Sequence, residues 1–375
     1  MANEKKTVRE PSFILALVPI VAMIAFMLYC FRGHSETGYH DAHLPLVMSI
    51  IVACIVGFIC GHSFQEMLAG MVERLAASME AVLILATVGF LVTSFMLSGA
   101  IPTMIVYGLD LLTPKLFLPV GCILCAIVGM ACGSSWTTTA TIGLAFLGIG
   151  AGLGIPAPIT AGMIISGAYV GDKFSPLSDT TNLAAAVAET GLFDHVTAMV
   201  STTGPTLLLS LILYTILGLN VDTSAYDATV AEGIQEAFRG AFTISPILLL
   251  PIIVVIVMCI LRVPGLVGIA ISVATAVVFM LIFQSTDIFY SYSLGDIFDV
   301  LHYGHAVETG NAVADSILGK AKGMDGMMWT INLILVALAY GGALERCGCI
   351  EKLFGGLKHK IHSVGSLILA TLLTS

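Results

Sequence analysis

Charge is the scarcest feature of this sequence. Only 10% of its 375 residues are Asp, Glu, Lys or Arg, against 58% that are hydrophobic, whereas a soluble domain carries about 25% charged residues. With a mean hydropathy of +1.01 there is too little polar surface to cover a globule in water, which excludes a soluble enzyme and a disordered chain. Basic residues are scarcer still. The 15 Lys and Arg stand against 24 Asp and Glu, and the net charge of −9 excludes nucleic acid as a partner. Paired metal ligands are lacking too. Cys347-Gly348-Cys349 has no second pair at zinc spacing, and the other seven cysteines lie in or beside apolar runs, where they read as small hydrophobes. Lys5, Lys6 and Arg9 precede an apolar stretch too long for a signal peptide. What remains is an all-α polytopic membrane protein.

A membrane span needs about 20 mostly apolar residues. The clear runs are 13–31, 44–61, 81–98, 116–132, 196–218, 244–261, 263–283 and 328–345. Residues 63–80 and 308–327 are amphipathic and suit the membrane interface, and 219–240, with Asn220, Asp222, Asp227, Glu232, Glu236 and Arg239, reads as a solvated loop. Between 133 and 190, Gly, Ser, Thr and Pro chop the apolar signal into pieces shorter than a crossing, as in broken or re-entrant helices. The three basic residues ahead of the first run place the N-terminus in the cytoplasm by the positive-inside rule.

Sliding the chain by 249 positions lays 70–126 on 319–375 without a gap, with span 81–98 on 330–347. Two structurally related, inverted repeats are the usual architecture of secondary transporters, with the site between them near the midplane. The expected organisation is a first repeat over 11–218, a solvated linker over 219–242 and an incomplete second repeat over 243–375. By the length of the first repeat, the second is cut short by roughly 90 residues.

Two segments carry chemistry. One is Gly133-Ser134-Ser135-Trp136-Thr137-Thr138-Thr139-Ala140-Thr141, dense in hydroxyls that serve either a polar site or packing between membrane helices. The other is Gly171-Asp172-Lys173-Phe174-Ser175-Pro176-Leu177-Ser178-Asp179-Thr180-Thr181-Asn182, flanked by apolar helix. An ionisable group at membrane depth costs at least a few kcal/mol and marks function by default. Pro176 removes a donor and disfavours helix at Ser175, predicting an unwound stretch whose freed carbonyls turn toward a bound polar species. A hard monovalent cation such as sodium takes about five or six oxygens of low net charge. Asp172, Ser178, Asp179 and Asn182 supply such a set, and Lys173 can offset a carboxylate when no cation is present. Because burial disfavours the charged form of a carboxyl, proton and sodium would compete for one site. No His lies in 133–182 to activate a hydroxyl, so nucleophilic catalysis has no base there.

The stretches GSSWTTTATIG (133–143) and GAYVGDKFSPLSDTTNLAAAVAETGLFDHV (167–196) resemble the NhaC-type sodium/proton antiporter family, which includes malate/lactate–sodium exchangers. The resemblance implies sodium-coupled antiport, inverted repeats of broken helices, and site roles for Ser135, Thr137, Thr138, Asp172, Ser178, Asp179, Thr180 and Asn182. It implies sodium and protons as the partners, in a multi-pass protein of the cell membrane bounded by lipid. An exchange of malate and protons for sodium and lactate is the alternative. A homodimer is compatible with the composition, and no organic cofactor is expected.

Overall fold

In apolar runs this long the backbone has only its own carbonyls to bond, and helix is the result. The computed structural model describes residues 8–32, 41–175, 178, 180–181, 184–185, 188, 190–220, 228–261, 263–284 and 294–358, and the regular elements among them are all helical. They are α1 (Phe13–Phe31), α2 (His43–Ile59), α3 (Phe64–Ala77), α4 (Met79–Leu97), α5 (Ala100–Leu111) and α6 (Pro114–Cys132). A broken stretch follows, made of α7 (Ser135–Thr138), a π-turn (Thr139–Gly143) and α8 (Leu144–Gly152), and then α9 (Ala157–Phe174). The chain continues with α10 (Leu192–Leu219), α11 (Ala228–Ala241), a 3-10 turn (Pro246–Leu249) running into α12 (Leu250–Ile260), and α13 (Gly265–Phe283). The last elements are α14 (Leu294–Tyr303), α15 (Ala312–Leu318), α16 (Asp325–Arg346) and α17 (Cys349–Lys358).

Each apolar run expected to span falls on a helix. Among the described residues, α1, α6, α10, α13 and α16 are long and apolar enough to cross a membrane alone, and two further bent helix pairs raise the number to seven. The protein is therefore a multi-pass membrane protein. Helix starts follow local chemistry: Ser12 Oγ accepts from Leu15 N–H at 3.3 Å, and Ser63 and Glu66 form a reciprocal capping box at the start of α3.

One element departs from the sequence reading. The stretch 219–240 is not wholly a solvated loop, because α11 occupies its second half with Ala231, Ile234 and Phe238 buried along one face. Their spacing of three and four residues is helical, but the charges between them dominate the composition. The α5 helix, between two expected spans, starts after Gly99 at φ 81° and is mostly buried. Asp110 near its end is exposed and paired with α11, 2.8 Å from Gln235 Nε2 and 3.7 Å from Arg239.

Contacts divide the chain into two units, residues 1–83 with 328–375, and residues 84–327. In the first, Ala16, Leu46, Ala53, Val56 and Met67 pack with Tyr340, Ala343, Leu344, Cys347 and Cys349. Tyr340 Oη there donates to the Pro19 carbonyl at 3.0 Å. In the second, the core runs from Leu91, Phe95, Ile101 and Ile105 through Phe117, Phe146, Ile149 and Met163 to Ile234, Phe238, Ile252 and Val255.

One close approach occurs once in each unit. A Cβ built on Gly342 of α16 would lie 2.6 Å from the Gly70 carbonyl oxygen and 2.9 Å from Met71 Cα. A Cβ built on Gly89 of α4 would lie 2.5 Å from the Gly323 carbonyl oxygen and 2.8 Å from Met324 Cα. In both cases a Gly-Met dipeptide presses its backbone onto a helix glycine, in pairs one helical turn beyond the 249-residue register. The C-terminal ends of α4 and α16 keep that register itself, with Leu97 matching Arg346 and left-handed Gly99 matching left-handed Gly348. Both crossings need hydrogen at the helix position. Gly89→Val and Gly342→Val should each lower stability by about 1–3 kcal/mol, as overpacking does. Gly341→Ala, with nothing within 4 Å, should leave stability unchanged or slightly raised. Thermal unfolding followed by size-exclusion chromatography reads the contrast.

Candidate functional site

Two helices in the second unit break close together, and each break starts from identifiable residues. The first, α6, ends at Gly133, whose φ of 63° suits a residue without Cβ, and its N–H donates to the Gly129 carbonyl at 2.8 Å. Ser134 then turns to extended backbone and starts α7, its Oγ accepting from Thr137 N–H at 3.2 Å. The hydroxyls that follow fold back on their own helix. Thr138, Thr139 and Thr141 donate to the carbonyls of Ser134, Ser135 and Thr137 at 2.9, 2.8 and 2.7 Å. A hydroxyl that has spent its hydrogen in this way offers only lone pairs to anything else that approaches. Thr138 and Thr141 are fully buried, Ser135 and Thr137 nearly so, and Trp136 is exposed. The five-residue π-turn right after α7 fits the habit of such turns to sit at functional sites.

The second break closes α9. Ser175 leaves the helix with ψ 122°, as the following Pro176 demands, and its N–H donates to the Asp172 carbonyl at 3.1 Å. Thr181, 2% exposed, reaches back so that its hydroxyl also donates to the Asp172 carbonyl, at 3.2 Å. Ser178 Oγ accepts from Thr181 N–H at 3.3 Å and lies 2.9 Å from Thr180 Oγ1. The chain after α9 therefore folds back on the open end of that helix. Thr181 was not among the residues chosen from the sequence. The signal was a Ser-x-x-Thr spacing, in which Ser178 caps the turn that Thr181 enters.

Asp172 sits in the last turn of α9, 5% exposed, and is the sole buried acidic residue among those described. Its Oδ1 is enclosed and has no hydrogen-bond partner. Lys173, half-buried, makes no ion pair with it. Thr180 is exposed, Ser178 buried, and Asp179 and Asn182 lie outside the described residues. The carboxylate is placed by backbone proximity. Gly167 and Gly171, four apart on α9, lie against the carbonyls of Cys122 and Ala126 on α6, and Gly129 of α6 lies against the Ala168 carbonyl. Small residues at this spacing let membrane helices touch backbone to backbone. Both α7 and the π-turn pack on the same α9. The structure thus brings the two chemical segments together as elements, without a direct hydrogen bond between the hydroxyls of α7 and the Asp172 carboxylate.

Among the described residues, no three of His, Cys, Asp and Glu converge as metal ligands. The described residues of the site instead offer one carboxylate among neutral hydroxyl and carbonyl oxygens, which suits a hard monovalent cation or a proton better than a transition metal. Two cavities, of about 380 and 570 Å³, lie in the first unit among exposed charges such as Arg74, Glu345 and Arg346.

The Na+/H+ antiporter family model matches residues 167–375. Over 335 residues the chain is 34% identical to a Na(+)/H(+) antiporter NhaC of Alkalihalophilus pseudofirmus, covering 89% of this chain and 71% of that one. It is 35% identical over 368 residues to the arginine/ornithine antiporter ArcD of Halobacterium salinarum, covering 97% and 74%. It is 32% identical over 372 residues to the malate-2H(+)/Na(+)-lactate antiporter of Bacillus subtilis, covering 99% and 77%. No solved structure matches.

The fold-back on α9 can be tested separately from any transport. Thr181→Val should cost about 1–2 kcal/mol, since it takes a buried hydroxyl from the Asp172 carbonyl. Thr180→Val at the exposed neighbour should stay within about 0.5 kcal/mol. Thermal unfolding of the two variants checks the difference.

Proposed function

Because the chain belongs to the Na+/H+ antiporter family, we propose that it exchanges sodium for protons across the membrane by alternating access, with Asp172 as the group that holds one or the other. The observation that carries this reading is the buried, unpaired Oδ1 of Asp172 at the end of a broken helix. A buried carboxylate without a counter-cation is costly, and a proton or a sodium ion relieves that cost equally well in charge. Around it, Ser178, Thr180 and the hydroxyls of Ser135, Thr137 and Thr138 are the neutral oxygens available to complete a sodium shell. From the sequence pattern the proposed shell also takes the amide oxygen of Asn182 and a second carboxylate, that of Asp179. In the cycle, deprotonated Asp172 takes sodium, the site changes exposure, sodium leaves, and a proton returns with the empty carrier. Lys173 acts beside the site as a mobile counter-charge.

The reading extends to architecture and orientation. Two related halves are supported by the repeated Gly-Met crossings and by the matching ends of α4 and α16. Lys5, Lys6 and Arg9 before α1 support a cytoplasmic N-terminus. A second reading, coupled exchange of an organic ion, rests on two of the relatives being named for malate and lactate or for arginine and ornithine, at identities within three points of the sodium/proton antiporter. For a carboxylate, Lys173 is the available cation.

Proteoliposomes separate the readings. An imposed pH gradient should drive saturable sodium-22 flux with no organic ion present, and Asp172→Asn should reduce it at least about 100-fold, as loss of an essential charge does. Normal exchange by Asp172→Asn would refute the assignment. Sodium flux that required malate or arginine on the opposite side would establish the second reading instead.

A further inference from the structure

At the start of α2, groups from distant parts of the first unit close on one another. His43 Nδ1 meets the Asp41 carboxylate, and His43 Nε2 lies 3.1 Å from the Trp329 carbonyl oxygen. Trp329 Nε1 donates to Asp41 Oδ2 at 3.0 Å, and the His43 backbone N–H donates to Asp41 Oδ1 at 3.1 Å. The imidazole and indole rings stand edge to face with centroids 5.2 Å apart. Little of the His43 side chain is open to solvent, 14% by area.

A neutral imidazole carries one donor nitrogen and one acceptor nitrogen. Here both nitrogens face acceptors. A backbone carbonyl has no hydrogen to give, and Asp41 is engaged as an acceptor three times over, which fits an ionised carboxylate. The hydrogen bond from His43 holds the Asp41 carboxyl below its ordinary value of 3.8, with the His43 backbone bond and the Trp329 bond acting in the same direction against partial desolvation. Only the doubly protonated ring satisfies both neighbours. We propose that His43 is a second proton-binding site of this protein, distinct from the broken-helix carboxylate, and that its bound proton clasps the start of α2 to the start of α16.

Among the described residues, the charges around it leave Asp41 as the partner. Of the elements packed on α2, α1 brings Tyr29 and Cys30 near its end and Arg32 just beyond, and α3 brings Glu66, Glu73 and Arg74 at the other end of α2. On α16, Asp325 stands one turn before Trp329. None of these forms an ion pair with His43. The clasp then exists in a pH window with two edges. Because folding depresses Asp41, its contribution is present above its ordinary value and is lost as pH falls through the lowered one. At the upper edge the imidazole gives up its proton, and one nitrogen lone pair is then turned on an oxygen.

The sequence supplies a reporter. It holds two tryptophans, so Trp136→Phe in the full chain leaves Trp329 as the sole indole. An imidazolium beside an indole quenches its emission more than neutral imidazole does, so Trp329 emission should rise reversibly as pH is raised. His43→Gln in that background should abolish the transition. Asp41→Asn, which keeps the ring and removes its charged partner, should move the transition to lower pH. A flat titration with His43 present, a transition that survives His43→Gln, or a midpoint unmoved by Asp41→Asn overturns the proposal. The last arm decides alone if His43→Gln does not fold, and none of the arms depends on transport.

Discussion

A peptide group that leaves its helix inside a membrane has no water to fall back on, and the rest of this structure follows from how that debt is met. At the end of α6 the debt is met by Gly133 closing onto Gly129 and by Ser134 starting α7 with its own side chain. At the end of α9 it is met by Ser175 and by the returning hydroxyl of Thr181, both directed at the Asp172 carbonyl. These local solutions allow the breaks to exist. They also determine what is left over, because the backbone carbonyl of Asp172 is satisfied while its carboxylate Oδ1 is not.

Backbone satisfaction would be of little use if the broken ends drifted. The glycines of α6 and α9 bring the two helices close enough that carbonyl oxygens lie where side chains would otherwise stand. Glycine here serves proximity, not flexibility: Gly167 and Gly171 are helical, and their value is the missing Cβ. The same device appears at Gly89 and Gly342, where a Gly-Met backbone rests on a helix. An interior held by backbone contacts is rigid against small adjustments and changes by moving whole elements, which is the behaviour that switching between two exposures requires.

Much of this was legible in the sequence, and the limits have physical causes. Apolar run length located the spans to within a few residues, because a bilayer imposes a length and little else. Pro176 and the neighbouring polar residues located the break after α9, because a proline acts on its predecessor irrespective of tertiary context. By contrast, α11 was hidden by its charges, since composition averages over both faces of an amphipathic helix. Thr181 was hidden because its role depends on the chain folding back onto α9, a tertiary event that leaves only a Ser-x-x-Thr trace. The hydroxyls of 137–141 were readable as polar, but the sequence did not say that Thr138, Thr139 and Thr141 spend their hydrogens on their own helix. That choice turns ambivalent groups into acceptors and suits them to a cation.

The scarcity of charge, taken with the fold, also bears on coupling. A transporter that exchanges two cations must avoid carrying both or neither, and at the proposed site Asp172, the one buried acid among the described residues, would supply much of that discipline through electrostatics. With both ions bound the site would hold an uncompensated positive charge, and with neither bound a negative one that is left to a mobile Lys173 to offset, each state costly in a membrane interior. A basic residue locked in an ion pair with Asp172 would remove that penalty and with it the preference for single occupancy. Lys173 is adjacent in sequence and makes no such pair. On the proposed assignment, the lack of a fixed counter-charge at Asp172 among the described residues is what would let a proton and a sodium ion substitute for one another there.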